Sequence, residues 1–326
     1  MVAIASNQPT DAANPAASPA PPPRKPTGRV GRRSRRGRID DTPAYKAFQV
    51  FNTFALILVV IATLVPFIHV IARSFSSEVA IRTNRVHLLP VDFNIHTYQY
   101  VWNNPLFLGS YWNTIRYTVV ATFVAMVLTT CYAYVLSKKH LKGRNVLIWV
   151  AVFTMFFNGG IVPNFVVINE LGLYNTMWAI VLPNAISVFN LLVMKAFFEN
   201  MPPDLEEAAQ VDGLNTYGIL LRIVLPLSKA VVATMTLFYS VSFWNSWFPA
   251  LLYLRDPSLQ PVTIFLRNLY AGAVGGESLG ADAADLQVSA NVQAVTIVLI
   301  SVPILMVYPF LQKYFVRGVM LGAIKG

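Results

Sequence analysis

Six stretches of this chain contain no Asp, Glu, Lys or Arg: residues 47–72, 117–137, 145–169, 171–194, 230–254 and 286–312. Each reaches the roughly 20 residues that a helix needs to cross about 30 Å of hydrocarbon. The last opens on polar residues, so its apolar part begins near Val292. All are too long for barrel strands, and a spanning segment must satisfy its own backbone groups. The pattern predicts an all-α polytopic membrane protein with six transmembrane helices. Only Glu170 parts the third stretch from the fourth. Asn158-Gly159-Gly160 with Pro163, and Pro183 with Asn184, interrupt those two spans. Such breaks are tolerated at membrane depth where protein or a water-filled cavity covers them.

Charge sets an orientation. The chain has 25 Lys and Arg against 15 Asp and Glu, for a net charge of +10. With the N-terminus inside, 19 of the 25 basic residues fall on the inner side. Six (Arg73, Arg82, Arg85, Arg116, Arg255 and Arg267) fall on the outer side or the adjoining helix ends. That bias predicts both termini in the cytoplasm and accounts for the net charge without nucleic acid. Residues 1–46, rich in Ala, Pro and Arg, are expected to form a disordered basic cytoplasmic tail drawn to anionic membrane lipid, and residues 47–326 the transmembrane domain. Outside, aromatic residues Tyr98, Tyr100, Trp102, Tyr111 and Trp112 suit an interfacial belt. Residues 255–287, with Gly272, Gly275, Gly276 and Gly280, read as a flexible or turn-rich loop.

The inner loop between the fourth and fifth stretches, about residues 200–226, is the most structured polar segment. Pro202-Pro203 ends one helix, and Pro203 is suited to open the next. Asp204, Glu206 and Glu207 follow near its start, where the helix dipole favours acids. Leu205, Ala208, Ala209 and Asp212 recur at helical spacing, so a shallow alanine face is expected. Asp212-Gly213 stops the helix, since glycine can take positive φ. A second short helix fits 216–224, and Leu225-Pro226 turns the chain back to the membrane. From these residues alone, a docking surface for a cytoplasmic partner and a plain re-entry loop are both open.

No chemistry accompanies this. The chain has no Gly-x4-Gly-Lys-Ser/Thr phosphate loop. His69, His87, His96 and His140 are scattered without metal spacing, and no nucleophile triad or paired-carboxylate site stands out. Cys131 is alone, and a packing role within its span is expected. Intramembrane polar and aromatic residues supply the candidates for a solute pathway: Asn158, Asn184, Asn190, Trp244, Asn245 and Trp247, with Arg116 near the outer end of the second span. Helix–helix packing is the competing role for each. A membrane enzyme or an ion-coupled carrier would place catalytic clusters or buried ionisable groups at midplane, and the spans nearly lack these.

Glu207-Ala208-Ala209, three residues, Gly213, nine residues, Ile223, one residue, then Leu225-Pro226 matches the EAA signature of bacterial ABC-importer permeases at each signature position. Residues 157–163 (FNGGIVP), 173–179 (LYNTMWA) and the ending 318–326 (GVMLGAIKG) resemble the carbohydrate class, within it MalG-type subunits and the LplC/YtcP branch. The resemblance covers nearly all of the chain after about residue 45. It implies a type I ABC-importer permease fold, and import of oligosaccharide, with alginate or other acidic polysaccharide fragments among the cargoes. It implies a heteromeric assembly with a second permease subunit, two ABC ATPase subunits and an extracytoplasmic solute-binding protein. ATP and Mg would be used by the ATPases, with no cofactor on this chain. The EAA loop would be the coupling helix: Glu207 pairing with the ATPase, Ala208 and Ala209 packing in its groove, Asp212 and Gly213 ending the helix, and Ile223, Leu225 and Pro226 completing the motif. A permease for a non-sugar solute would share that loop.

Overall fold

The computed structural model describes residues 43–278 and 290–323, which are mostly helical and contain no strand. The expected N-terminal tail lies outside the described residues up to residue 42. Packing divides the chain into two units, Met1–Val59 and Val60–Gly326. The division falls inside the first helix, α1 (Pro43–Ser74), which runs unbroken through Pro66.

Within the larger unit the order is α2 (Glu78–Arg82), α3 (His96–Trp102), α4 (Pro105–Ser137), α5 (Arg144–Phe156), α6 (Ile161–Glu170), α7 (Trp178–Val181) and α8 (Val188–Glu199). Then come α9 (Pro203–Val211), α10 (Thr216–Ile219), a π turn (Leu220–Val224), α11 (Leu225–Leu227), α12 (Lys229–Trp244) and α13 (Phe248–Tyr253). A 3₁₀ turn (Pro257–Leu259), α14 (Val262–Ser278) and α15 (Ala290–Ala323) complete it.

The spanning pattern is coarser in the structure than in the sequence. By length and composition, three described helices are fit to cross a membrane: 45–74, 105–137 and 290–307. Two bent pairs raise this to at most five: α5 with α6, at 116°, and residues 216–227 with α12, at 86°. Of the six expected spans, the fourth is split into α7 and α8 around Pro183-Asn184. The fifth stops at Trp244 and resumes as α13. Its C-cap, Asn245, turns its side-chain amide back to the Val241 carbonyl (2.9 Å).

The break in the third stretch has a clear local cause. Gly160 sits at φ +88°, and the Asn158 side-chain oxygen accepts its N–H at 2.9 Å. That Asx-type turn offers the backbone a partner outside the helix ladder, and Ile161 restarts the helix in a new direction.

Helix α4 is the axis of the larger unit, packing mainly on α8 and α12, while α12 also packs on α15. Its buried side is built of small residues, Ala121, Ala125, Thr129 and Ala133, which let neighbouring backbones approach closely. Interhelical hydrogen bonds add to this. The Tyr239 hydroxyl lies 2.6 Å from the Thr129 hydroxyl and accepts the Ser187 N–H at 2.9 Å. The Trp244 indole N–H reaches the Ile300 carbonyl at 3.2 Å. Cys131 is exposed rather than packed.

At the expected outer end, Asn104 caps α4 by accepting from Leu106 and Phe107, with Pro105 as the first helical residue. Of the expected aromatic belt, Tyr100, Trp102 and Trp112 are exposed. Tyr98 and Tyr111 instead pack with Val101, Phe107 and Trp244. The segment after Arg255 is not the loose loop that its glycines suggest. Asn113 donates to the Ser258 carbonyl (2.6 Å), Tyr117 to that of Leu259 (2.7 Å), and Thr114 accepts the Val262 N–H (2.8 Å). Helix α14 then continues through Gly272, Gly275 and Gly276; Gly280 lies outside the described residues.

Candidate functional site

The expected inner loop forms a helix–turn–helix. Asn200 closes α8, its side-chain amide donating to the Ala196 carbonyl at 2.9 Å. Pro203 is the first residue of α9, with Asp204 and Glu206 in the first turn. The helix ends in a Schellman arrangement: Leu214 N–H bonds the Ala209 carbonyl, and Gly213 N–H that of Gln210, both at 3.0 Å. Gly213 stands at φ +80°, the left-handed conformation this motif needs and one that costs an L side chain ~1–2 kcal/mol. Asn215 then caps α10, its side-chain oxygen accepting from Gly218 at 2.7 Å.

The second arm differs from expectation. Leu225-Pro226 does not turn the chain. Helical geometry runs through Leu227, and the 86° bend comes at Ser228, which is fully buried. The π turn ends two residues before Pro226, which has no N–H to donate. Ile223 and Leu225 are partly buried against the inner core, whereas Pro226 is exposed.

The alanine face is also divided. Ala209 is 3% exposed and belongs to a core with Tyr134, Leu136, Leu191, Met194, Phe198, Ile219 and Val224. Leu205, Glu207, Ala208, Asp212 and Gly213 are exposed. Ala209 therefore anchors α9 to its own chain, and the outward surface comes from Glu207 and Ala208, flanked by Leu205 and Val211. Helical spacing placed Ala209 beside Leu205 and Asp212; in the structure it joins a buried core shared with α4 and α8 side chains.

Sequence spacing gave no sign of the ionic contacts below this loop. Lys138, just past α4, pairs with Glu206, and its ammonium lies 4.0 Å from the Tyr134 ring centroid. Arg144 donates to the Leu136 carbonyl (2.7 Å) and to Glu199 (2.8 Å), which Lys195 also pairs at 2.5 Å. Lys195 is the main cause holding the Glu199 carboxyl below its ordinary pKa, with Arg144 assisting.

The solute-pathway candidates scatter. Asn158 and Asn184 share a cleft of about 760 Å³ between the broken third and fourth stretches and α13, together with Asn164, Phe248 and Tyr253. Trp247 is exposed and lies edge-on to Phe248 at 5.5 Å. Trp244 is 7% exposed and buried among α4 and α15 side chains, and Asn190 is 4% exposed in the first turn of α8. Both have the surroundings of packing residues. Asn245 is exposed but its amide serves its own helix end, and Arg116 is exposed on α4. Among the described residues no cluster of three or more His, Cys, Asp or Glu is arranged for a metal ion.

These features coincide with those of known proteins. Residues 106–321 match the family described as "Binding-protein-dependent transport system inner membrane component". The chain is 39% identical over 273 residues to the polygalacturonan/rhamnogalacturonan transport system permease protein YtcP of Bacillus subtilis, covering 83% of this chain and 96% of that one. It is 41% identical over 268 residues to Protein LplC of the same organism, covering 81% and 90%. Its fold superposes with a TM-score of 0.76 on a chain of a bacterial ABC transporter involved in the import of the acidic polysaccharide alginate. Identity there is 33%, with 84% of this chain and 98% of that one covered. A polytopic helical chain with a Schellman-ended inner helix and this family match is a membrane permease subunit: it belongs to the inner membrane components of binding-protein-dependent ABC transport systems.

Proposed function

We propose that this chain is one of two permease subunits in an ATP-driven importer of acidic oligosaccharides, with α9 as the lever its ATPase moves. The arrangement of α9 carries the reading. Ala209 and the Schellman stop fix the helix to its own chain, and Glu207 and Ala208 stand outward on the Lys138–Arg144 side, where basic residues collect. That distribution supports a cytoplasmic α9 and cytoplasmic termini. A rigid helix with a small outward face suits a groove on an ATPase subunit. ATP binding that favours one ATPase arrangement would then shift the permease between inward- and outward-open states, which requires differential affinity and nothing more.

The cargo class rests on the relatives. Polygalacturonan and alginate are both chains of uronic acid, and two of the similar proteins bear those names. The cleft holding Asn158, Asn164 and Asn184 beside Phe248 and Tyr253 offers amides for sugar hydroxyls and ring faces for stacking. Exposed Arg116, near the expected outer end of its span, supplies a cation for a carboxylate. A solute-binding protein would deliver cargo on the outer side.

The test is reconstitution in lipid vesicles with a sister permease, an ATPase and a binding protein. Oligogalacturonate and alginate oligomers should stimulate ATP hydrolysis and enter the vesicles, and neutral maltooligosaccharides should not. Glu207→Ala should reduce stimulated hydrolysis and uptake together. Unchanged uptake in Glu207→Ala refutes the lever, and equal uptake of neutral chains refutes the acidic cargo.

A further inference from the structure

Lys138 closes a latch between the coupling helix and the long central helix. It stands one residue past α4 and pairs with Glu206 in the first turn of α9, although the two are 68 residues apart. Both side chains are about four-fifths shielded, at 20% and 21% exposure. The ammonium also rests over the Tyr134 ring at 4.0 Å. Tyr134 is 3% exposed and meets Phe198 of α8 edge-on at 6.2 Å. Ala209, one turn further along α9, reaches the same core. The pair thus lies above an apolar floor made by α4, α8 and α9, where an ion pair is screened less than at a free surface. A second clasp ties the same end of α4 to α5 and α8: Arg144 binds the Leu136 carbonyl and Glu199, and Lys195 binds Glu199.

Adjacent acids therefore have different duties. Glu206 faces its own chain, whereas Glu207 is exposed and has no ion-pair partner among the described residues. The main neighbours of α4 are α8 and α12, so whatever α9 is bound to, α4 carries onward into the membrane.

We propose that Lys138, through Glu206, is the positioning residue that makes α9 and the inner end of α4 a single rigid body, so that force on α9 moves α4 directly. This rests on the reading of α9 as an ATPase-driven lever. Without the latch, Ala209 and its apolar neighbours still hold α9 in place, but the helix can rock on them, and motion of the ATPase is spent on α9 alone. Removing one charge also leaves the other shielded and unpaired, which is unfavourable.

The experiment uses the whole reconstituted transporter on a Cys131→Ser background, with spin labels at Lys142→Cys beyond α4 and Gln210→Cys on α9, both exposed positions. With Lys138 and Glu206 intact, the label distance should stay the same, as one narrow distribution, in nucleotide-free and ATP-bound complexes. Lys138→Gln should broaden or split it and lower uptake per ATP hydrolysed about fivefold, the lower end of typical coupling effects. The exchanged pair Lys138→Glu/Glu206→Lys should recover part of both. Recovery is incomplete because a cation in the first turn of α9 opposes the helix dipole and a carboxylate gains nothing from the Tyr134 ring. A label distance that changes with nucleotide in the latched parent, or an unaltered distance in Lys138→Gln, overturns the latch. So does an exchanged pair that assembles normally yet behaves no better than Lys138→Gln. The distance needs no cargo, so a parent complex that imports no acidic oligosaccharide refutes the cargo reading and leaves the latch to be judged on its distances.

Discussion

Ala208 and Ala209 are neighbours in sequence with opposite surroundings: Ala209 is 3% exposed in a core that includes Tyr134 and Phe198, and Ala208 is open to the outside. Their substitutions should separate accordingly. Ala209→Leu overfills a packed core and should destabilise the chain by ~1–3 kcal/mol, read as a lower unfolding temperature in detergent. Ala208→Leu should leave that temperature alone and reduce ATP-driven uptake. Equal thermal effects at the two positions would show that α9 is not anchored through Ala209.

Gly213 offers a sharper contrast, because at φ +80° a Cβ meets nothing within 4 Å. Strain is then purely conformational. Asn tolerates the left-handed region far better than a β-branched residue. Gly213→Asn should keep most transport, and Gly213→Val should lose it along with about 2 kcal/mol of local stability. The check is uptake in vesicles together with hydrogen exchange across residues 209–215, and equal behaviour of the two variants would remove the Schellman stop from the mechanism.

Trp244 should act on stability and not on cargo. Its indole N–H bonds the Ile300 carbonyl at 3.2 Å, and the ring is packed between α4 and α15. Trp244→Phe keeps most of the apolar contact and loses one buried hydrogen bond, for a cost of about 1 kcal/mol. The unfolding temperature should fall while the KM for oligosaccharide uptake stays put. A raised KM at unchanged stability would return Trp244 to the solute pathway.

Glu199 sets a pH dependence. Its side-chain hydrogen bond from Lys195, with the nearby Arg144 charge, lowers its pKa in the folded state. A lowered folded pKa means stability that is present above the unfolded pKa and lost as pH falls through the folded one. The clasp of α4, α5 and α8 should therefore persist through the ordinary carboxylate range and weaken only below it. Glu199→Gln should lower the unfolding temperature at neutral pH and remove that acid-side component from a pH series of melting curves.

Much of the molecule was legible because apolar length, helix breakers and turn chemistry act locally. Asn158-Gly159-Gly160 announced the break after α5, and Asp212-Gly213 the end of α9. The count of spans was less legible. An uncharged stretch of 24 or 25 residues looks the same whether its helix is continuous or folded back by 116°. The described part of the 255–287 segment, up to Ser278, misled for a related reason. Its glycines speak of backbone freedom, while the bonds that hold its start come from Asn113, Thr114 and Tyr117, more than 140 residues earlier.

The sequence by itself determined that this is a helical membrane protein with a polar, capped loop on its basic side, since hydropathy, charge bias and capping depend on residue type and short-range order. Tertiary structure alone decided which side of that loop is available. Helical spacing grouped Ala209 with Leu205, and gave Glu206 and Glu207 like chances of meeting a partner. Ala209 is buried in a core to which α4 and α8 contribute Tyr134 and Phe198, and Lys138 engages Glu206, leaving Glu207 and Ala208 outward. Burial and ion pairing depend on what distant segments bring to the same place, and no local pattern in α9 carries that information.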